Sequence, residues 1–261
     1  MDTKIAMIGT GNLGQSIVNG LIQEDAASNI IATRRNVNKL STLKEQGVDV
    51  TDNNAHAVNN AEIILLGLKP YTILETIEGL KDQLVPGKHV LVSLATGISI
   101  EEISNVVGEG FEIYRAMPNT GASVNESLTC ICGPEDGPNL EKVKQIFDTI
   151  GESIIINENL MEAATVLGAC GIAYVLRFIR AMVQGGIEIG FDANTASKIV
   201  NQTVLGASQM LIQNGNHPED EIDKVTTPKG CTISGLNQME HNGFSSSLIK
   251  GILTSFEKIE K

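Results

Sequence analysis

A glycine motif near the amino terminus could bind a phosphate group. The stretch IAMIGTGNLGQSIVNGLI has the pattern Gly-x-Gly-x-x-Gly at Gly9, Gly11 and Gly14, between an apolar strand-like run and an amphipathic helix-like run. In that context the first glycine permits a tight turn, the second lets a pyrophosphate approach the backbone, and the third allows close helix–sheet packing. The N–H groups at the helix start would face the phosphates. The motif therefore predicts a dinucleotide-binding site, with a plain glycine turn as the alternative.

Two arginines follow the second strand-like run. The chain reads IIATRRNVNKL there, with Arg34 and Arg35 and no acidic residue. NAD-binding sites place Asp or Glu at this point to bind the ribose 2′-hydroxyl, whereas a guanidinium binds a 2′-phosphate bidentately. We therefore expect NADPH as the cofactor, with NADH possible but weaker. The alternative is a solvated pair of arginines at the start of a helix.

A second concentration of small polar groups lies near the carboxyl terminus. The stretch VTTPKGCTISGL, residues 225–236, combines hydroxyls, glycines, a proline and a cysteine directly before a helical pattern. A glycine-rich turn at a helix start offers free N–H groups to a small anion, and flanking threonines add donors. The alternative is that Thr232 caps its own helix. Both roles are compatible, because a cap residue would sit where the anion binds.

The elements that would position these groups fall into two halves. Short β-rich runs alternate with amphipathic helical runs up to residue 157, which predicts a doubly wound, mostly parallel α/β sheet of the Rossmann type. The expected strands cover residues 4–9, 29–33, 61–68, 88–94, 111–117, 128–132 and 153–157, and the expected helices of this half include 13–23, 38–46 and 139–150. Residues 158–261 are expected to form an all-α domain. The boundary is placed near Asn157–Leu160.

The second half begins with a helix that is apolar on nearly all sides. It covers Leu160–Ile189, and further helices are expected over 194–213, 233–241 and 245–259. A helix apolar all round must be buried, which a domain of this size cannot achieve alone, so we expect a homodimer. The uncharged stretch 163–176, closed by Arg177 and Arg180, is judged too short to span a bilayer.

Composition narrows the classes of partner. The 261-residue chain is 42% apolar, has no Trp and carries a formal net charge of −12, which argues against a nucleic-acid or anionic-membrane partner. The amino terminus lacks a signal-peptide pattern, so a cytoplasmic protein is expected. The four cysteines have no zinc-site or disulfide spacing and are expected to be buried, reduced thiols. No metal is expected.

Further motifs complete a recognisable order. They are GLKP at Gly67–Pro70, LVSLATG ending at Gly97, RAMPNTG at Arg115–Gly121, and GNHPEDEIDKVTTPKGCTISGLNQMEHNGF near the end. Taken together they resemble the pyrroline-5-carboxylate reductase family over essentially the whole chain. The resemblance implies NAD(P)H reduction of a cyclic imine, 1-pyrroline-5-carboxylate, to L-proline, by a Rossmann domain followed by a helical dimerisation domain.

The resemblance also implies roles for individual residues. The cofactor would be lined by Ile8, Gly9, Thr10, Gly11, Asn12, Leu13, Gly14, Arg34, Arg35, Asn54, Gly67, Leu68, Lys69, Pro70, Ala95 and Gly97. The substrate would meet Met117, Pro118, Asn119, Thr227, Gly230, Cys231 and Thr232. Thr232 is the candidate catalytic residue, as the hydrogen-bond partner of the ring nitrogen.

The chain departs from the family pattern at several positions around the expected imine pocket. GACGIAY, residues 168–174, replaces SGSGPAY, so that Ile172 stands where a proline would kink the helix and is expected to straighten or reshape that turn. Lys229 and Gly121 replace a glycine and a proline. Two alternatives therefore stay open: a reductase for another imine or a 3-hydroxy acid, and a non-catalytic NADP-binding regulator. The absence of lysine from residues 161–190 counts against the hydroxy-acid enzymes, which use a lysine there.

Overall fold

The computed structural model describes residues 3–259, and its first half is built on one eight-stranded sheet. The strands run in the spatial order β3-β2-β1-β4-β5-β6-β7-β8. All neighbouring pairs are parallel except β6 and β7, which are antiparallel. The bounds are β1 Ile5–Ile8, β2 Ile30–Thr33, β3 Asp49–Thr51, β4 Ile63–Leu66, β5 Val90–Ser93, β6 Glu112–Met117, β7 Ser127–Cys132 and β8 Gly151–Ile155.

Helices connect the strands and then form the second half alone. Those of the first half are α1 Asn12–Gln23, α2 Ser41–Glu45, α3 Asn54–Asn59, α4 Pro70–Glu78, α5 Ile100–Val107 and α6 Leu140–Asp148. The remainder are α7 Met161–Ala164, α8 Gly171–Glu188, α9 Ala193–Asn214, α10 Pro218–Val225, α11 Cys231–His241 and α12 Phe244–Ile259. The predicted α/β half followed by an all-α half is confirmed.

Two apolar cores cover the two faces of the sheet. The central strands β1, β4 and β5 consist entirely of buried residues, as expected when helices cover both faces of a parallel sheet. Because side chains alternate along a strand, neighbouring residues feed opposite cores. One core includes Met7, Ile17 and Phe147, and the other includes Ile8, Ile73 and Ile103.

The prediction missed one strand and did not identify the antiparallel pair. The missed strand β3 is an edge strand of three residues, none of them buried. The other seven strands lie where expected to within a few residues. The antiparallel pair β6–β7 joins Arg115 to Cys132 and Met117 to Cys130 across the sheet.

Internal contacts divide the chain into two units. One unit comprises the residues up to Ile172 together with those from Phe256 onward, and the other is Ala173–Ser255. The boundary near Asn157–Leu160 stays a prediction. Within Ala173–Ser255, all of which the structure describes, only four residues are buried: Val183, Ala196, Val200 and Glu221. Three apolar residues are a very small core for a unit of this length.

The long apolar helix of the second half is not uniform. α7 continues into a π-helical segment, Thr165–Cys170, and α8 then runs without a break through Ile172. The stretch Glu158–Glu188 has a mean hydropathy of 1.7 in its most apolar window, and 11% of that window is buried. By length and composition alone this helix could cross a membrane, contrary to the expectation from residues 163–176. The expectation counted only uncharged residues, and a window that admits two charges is longer.

Candidate functional site

The predicted dinucleotide motif forms the turn between β1 and α1. Gly9 has a φ of +86°, and a Cβ there would lie 2.8 Å from the carbonyl oxygen of Gly67, so no other residue fits without strain. A Cβ on Gly14 would lie 2.8 Å from Cε of Met7, which accounts for glycine where the helix packs on the sheet. A Cβ on Gly11 would meet nothing within 4 Å, so this side of the turn is open.

The start of α1 is free to bind an anion. Gly11 is its N-cap, and among the described residues no side chain caps it. The first N–H groups of the helix therefore carry the partial positive charge of the helix end without a protein acceptor. α5 contrasts with it, because its start is closed by a capping box between Ser99 and Glu102. The open turn and the uncapped helix fit the pyrophosphate of a dinucleotide.

A hydrogen-bond chain links this turn to the ends of two other elements. The backbone N–H of Gly9 donates to Oγ1 of Thr33 at 3.2 Å, and that hydroxyl donates to Oδ1 of Asn54 at 2.7 Å. Thr33 ends β2 and Asn54 begins α3. The predicted cofactor residue Asn54 therefore acts on the glycine turn through Thr33.

The two arginines after β2 differ in their surroundings. Arg34 is half-buried, and its Nη1 donates to the carbonyl oxygen of Thr10 at 3.2 Å, whereas Arg35 is exposed. Among the described residues neither guanidinium forms an ion pair. Both charges thus remain available to a phosphate at the end of β2, with Arg34 already held against the glycine turn.

The loops after β4 and β5 extend the same edge of the sheet. The N–H of Gly67 donates to the carbonyl oxygen of Ile8 at 2.8 Å, and the N–H of Leu94 donates to that of Leu66 at 3.1 Å. These bonds continue the parallel ladders past the strand ends. The predicted cofactor residues Gly67–Pro70, Ala95 and Gly97 follow directly. The structure thus brings the predicted cofactor residues together at the carboxyl ends of β1, β2, β4 and β5, where ligands bind in open α/β sheets.

The loop after β6 is more constrained than the resemblance implied. Met117, Pro118 and Asn119 are all buried in the single chain. The side-chain oxygen of Asn119 accepts a hydrogen bond from the N–H of Gly121 at 2.8 Å, and its backbone N–H donates to Oγ of Ser127 at 3.0 Å. A proline at position 121 could not donate the first bond, so this departure from the family pattern adds a contact. The Asn119 side chain holds the loop itself.

The predicted substrate turn lies in the other unit, Ala173–Ser255. The N–H of Gly230 donates to the carbonyl oxygen of Thr227 at 2.8 Å, and Lys229 has a φ of +61°. Both features are those of a type II β-turn, which favours glycine at the position that Lys229 occupies. Gly230 is the N-cap of α11 and no described side chain caps that helix. Thr227, Cys231 and Thr232 are exposed around the turn.

The alternative role of Thr232 as the cap of α11 is excluded, because the helix begins at Cys231 and Thr232 is its second residue. The expectation that all four cysteines are buried was wrong: Cys130 and Cys132 are, but Cys170 is half-buried and Cys231 is exposed. Burial raises the pKa of Cys132 to about 11, with the charge of Glu158 adding to the effect.

Sequence reasoning missed an ionic cluster around a buried arginine, beside the predicted cofactor loops. Arg115 on β6 is 3% exposed, its Nη1 lies 3.2 Å from Oε1 of Glu158, and its Nη2 lies 2.7 Å from Oε1 of Glu162. Burial lowers the pKa of Arg115, but the hydrogen bond and charge of Glu162, together with the hydrogen bond to Glu158, outweigh it and hold the pKa above its usual value. The available signal was the i, i+4 spacing of the two glutamates before an apolar helix.

Family models match both halves of the chain. Residues 158–261 match the model described as pyrroline-5-carboxylate reductase dimerisation. Residues 4–97 match the model described as NADP oxidoreductase, coenzyme F420-dependent. The second match agrees with the NADP cofactor predicted from the sequence.

Two relatives and one solved structure, all pyrroline-5-carboxylate reductases, match nearly the whole length of this chain. Pyrroline-5-carboxylate reductase 1 of Dictyostelium discoideum is 43% identical over 98% of this chain, which spans 49% of that longer relative. Pyrroline-5-carboxylate reductase 2 of the same organism is 42% identical over 98% of this chain and 92% of the relative. The structure of a pyrroline-5-carboxylate reductase from Coxiella burnetii, 29% identical, matches with a TM-score of 0.92 over 100% of this chain and 98% of the other. The chain therefore belongs to the pyrroline-5-carboxylate reductase family.

Proposed function

We propose that the protein reduces 1-pyrroline-5-carboxylate to L-proline with NADPH. The observation that carries the proposal is the presence in one chain of two uncapped helix starts, that of α1 behind the glycine motif and that of α11 behind the TTPKG turn. One suits the pyrophosphate of a dinucleotide and the other suits a carboxylate. The substrate carries a carboxylate and an imine, and offers few other groups to bind.

The first half holds the cofactor. The N–H groups at the start of α1 bind the pyrophosphate, and Arg34 with Arg35 binds the 2′-phosphate. The loops Gly67–Pro70 and Ala95–Gly97 line the rest of the cofactor. NADPH supplies the hydride that reduces the imine carbon. The task of these residues is to hold and orient the cofactor and exclude water.

The second half holds the substrate. The N–H groups of Cys231 and Thr232 at the start of α11 bind the carboxylate, and Thr227 adds a hydroxyl donor. The Thr232 hydroxyl, which is exposed and makes no hydrogen bond among the described residues, is the proposed partner of the ring nitrogen. The substrate motifs include no Asp, Glu or His suited to proton transfer, so the imine enters protonated from solvent. His217 has a local role instead, because its Nδ1 accepts from the N–H of Glu219 at 3.2 Å and caps α10.

The proposed assembly is a homodimer in the cytoplasm, with a ring of dimers as its larger form. The dimerisation model covers residues 158–261, which include the apolar helix whose side chains Leu167 and Leu176 are 65% and 58% exposed. A second copy of the chain would bury this surface. A net charge of −12 disfavours nucleic acid and anionic membranes as partners.

The direct test is an assay of purified protein with freshly prepared 1-pyrroline-5-carboxylate. We expect NADPH oxidation with formation of proline, slower oxidation of NADH, and weaker activity on the six-membered imine. A 3-hydroxy acid with NADP should give no reaction. Folded protein that binds NADPH but oxidises none with any imine would refute the proposal and favour a regulator.

A further inference from the structure

The proposed function gives no role to the ionic cluster formed by buried Arg115 with half-buried Glu158 and Glu162. All three residues belong to the first unit. The Arg115 side chain is 4% exposed, and that of Glu158 is 36% exposed. Removing a charged group from water costs free energy unless the group is paired. A buried arginine that joins distant parts of the chain therefore suggests a specific structural or functional role.

One carboxylate oxygen in the cluster joins the start of α5 to strand β6. Oε1 of Glu158 accepts from Nη1 of Arg115 at 3.2 Å and from the backbone N–H of Ile100 at 2.8 Å. Ile100 is the first residue of α5, shortly after the cofactor loop that ends at Gly97. Arg115 lies on β6, shortly before Met117, and pairs in register with Ser93 at the end of β5.

Glu162 contacts Arg115 but not the start of α5. Its Oε1 accepts from Nη2 of Arg115 at 2.7 Å, which is the shorter of the two ion pairs, and its side chain is 24% exposed. Among the described residues its carboxylate has no bond to the start of α5. The two glutamates therefore contact the same arginine, but only Glu158 also holds the backbone that follows the β5 loop.

We propose that Glu158 is a positioning residue for the cofactor, fixing the loops after β5 and β6 relative to each other through Ile100 and Arg115. This role rests on the proposed function only in that NADPH binds the loop after β5. The carboxylate accepts the N–H of Ile100, which the capping box leaves open, and it also accepts from the buried guanidinium of Arg115. Such a link limits movement of the two loops without touching the cofactor.

The test compares Glu158→Met with Glu162→Met. Each change removes one negative charge next to Arg115 together with both acceptor oxygens and keeps the side-chain length, whereas glutamine would retain an amide oxygen that can accept the same bonds. Because Glu162 makes the shorter and less exposed pair, its replacement should lower the melting temperature at least as much. NADPH affinity should respond in the opposite order: we expect Kd to rise about tenfold for Glu158→Met and less than about twofold for Glu162→Met, since small misplacements of positioning groups are costly.

Two measurements on the same samples distinguish an effect on NADPH binding from an effect on protein stability. Kd follows from the fluorescence of bound NADPH, since the chain contains no Trp to interfere, and the melting temperature from calorimetry on the same samples. KM for NADPH should rise with Kd in Glu158→Met. A Kd that tracks the melting temperature in both variants, or that changes in neither, would overturn the positioning role.

A second variant covers a failure to fold. Glu158→Asp keeps the charge near Arg115 but shortens the side chain by one methylene, so it should lose the bond to the Ile100 N–H and raise Kd in the same way. A wild-type-like Kd in Glu158→Asp would contradict the proposal. Because these readings need only NADPH, a wild-type protein that binds NADPH but reduces no imine would refute the proposed function and leave this test intact.

Discussion

Replacing Thr232 by valine tests the proposed catalytic contact without disturbing the fold. Thr232 is the second residue of α11, exposed, and its hydroxyl has no hydrogen-bond partner among the described residues. An exposed side chain of this kind contributes less than about 0.5 kcal/mol to the free energy of unfolding. The melting temperature of Thr232→Val should therefore match that of the wild type.

Activity should respond very differently. If the hydroxyl forms a hydrogen bond to the ring nitrogen as the hydride arrives, its loss should weaken the binding of the transition state by about 1–3 kcal/mol. This change corresponds to a decrease in kcat/KM of about 5- to 150-fold. Most of this loss should appear in kcat, because the bond strengthens in the transition state. NADPH affinity should not change, because the proposed cofactor residues lie in the other unit.

The control removes a neighbouring hydroxyl from the same helix. Ser234 donates to the carbonyl oxygen of Gly230 at 3.2 Å, so its hydroxyl is directed at the turn and not at the substrate. Ser234→Ala should keep kcat within about twofold of the wild type, since surface changes of this kind are small. Steady-state kinetics with 1-pyrroline-5-carboxylate and thermal unfolding on the same samples are sufficient. An unchanged kcat in Thr232→Val would end the catalytic assignment of this residue.

Three further predictions concern the cofactor, the assembly and pH. Replacing Arg34 and Arg35 together by alanine should remove a preference for NADPH of about 1–2 kcal/mol, mainly through KM for NADPH; an unchanged ratio of the two KM values would show that neither arginine binds the 2′-phosphate. Sedimentation at micromolar concentration should give a dimer or a larger species, and a stable monomer would contradict the proposed assembly. Burial, with the charge of Lys88, lowers the pKa of His89 below 6.5, so the unfolded chain takes up the proton first as the pH falls. The free energy of unfolding in urea should therefore decrease from pH 6.5 downwards, by up to about 1.4 kcal/mol per pH unit, and this part of the slope should be absent in His89→Asn, whose amide oxygen can still accept from the N–H of Val85.

The sequence predicts the strand positions of the first half well where a strand is buried and must therefore consist of apolar residues. β1, β4 and β5 are continuous apolar runs because helices cover both faces of the sheet, and the sequence pattern indicates this directly. β3 escaped detection because Asp49–Thr51 lies at the sheet edge and needs no apolar run. The tight turn at Gly9 and the close packing at Gly14 lie where the glycine motif predicts them, because backbone geometry and contact with the sheet require glycine at both positions.

The features that the sequence did not predict depend on the turn before α11 and on contacts between residues far apart in the chain. The helix start at Cys231 differs from the expected one because the turn closed by Gly230 and Lys229, and not a threonine hydroxyl, fixes where the backbone becomes helical. The link from Arg115 to Glu158 spans 43 residues, and no local pattern specifies it. Polar residues that meet across the fold can be recognised only when the fold is known.

The small core of the second unit makes the folding of Ala173–Ser255 depend on the concentration of the chain. Val183, Ala196 and Val200 are too few to hold Ala173–Ser255 in one arrangement, so a second copy must supply the missing apolar contacts. The last step of folding is then a collision between two chains, and its rate falls with the square of their concentration. A newly made chain would wait with its apolar helix uncovered, and dilution would lengthen that wait. The stability of the protein would accordingly rise with its own concentration.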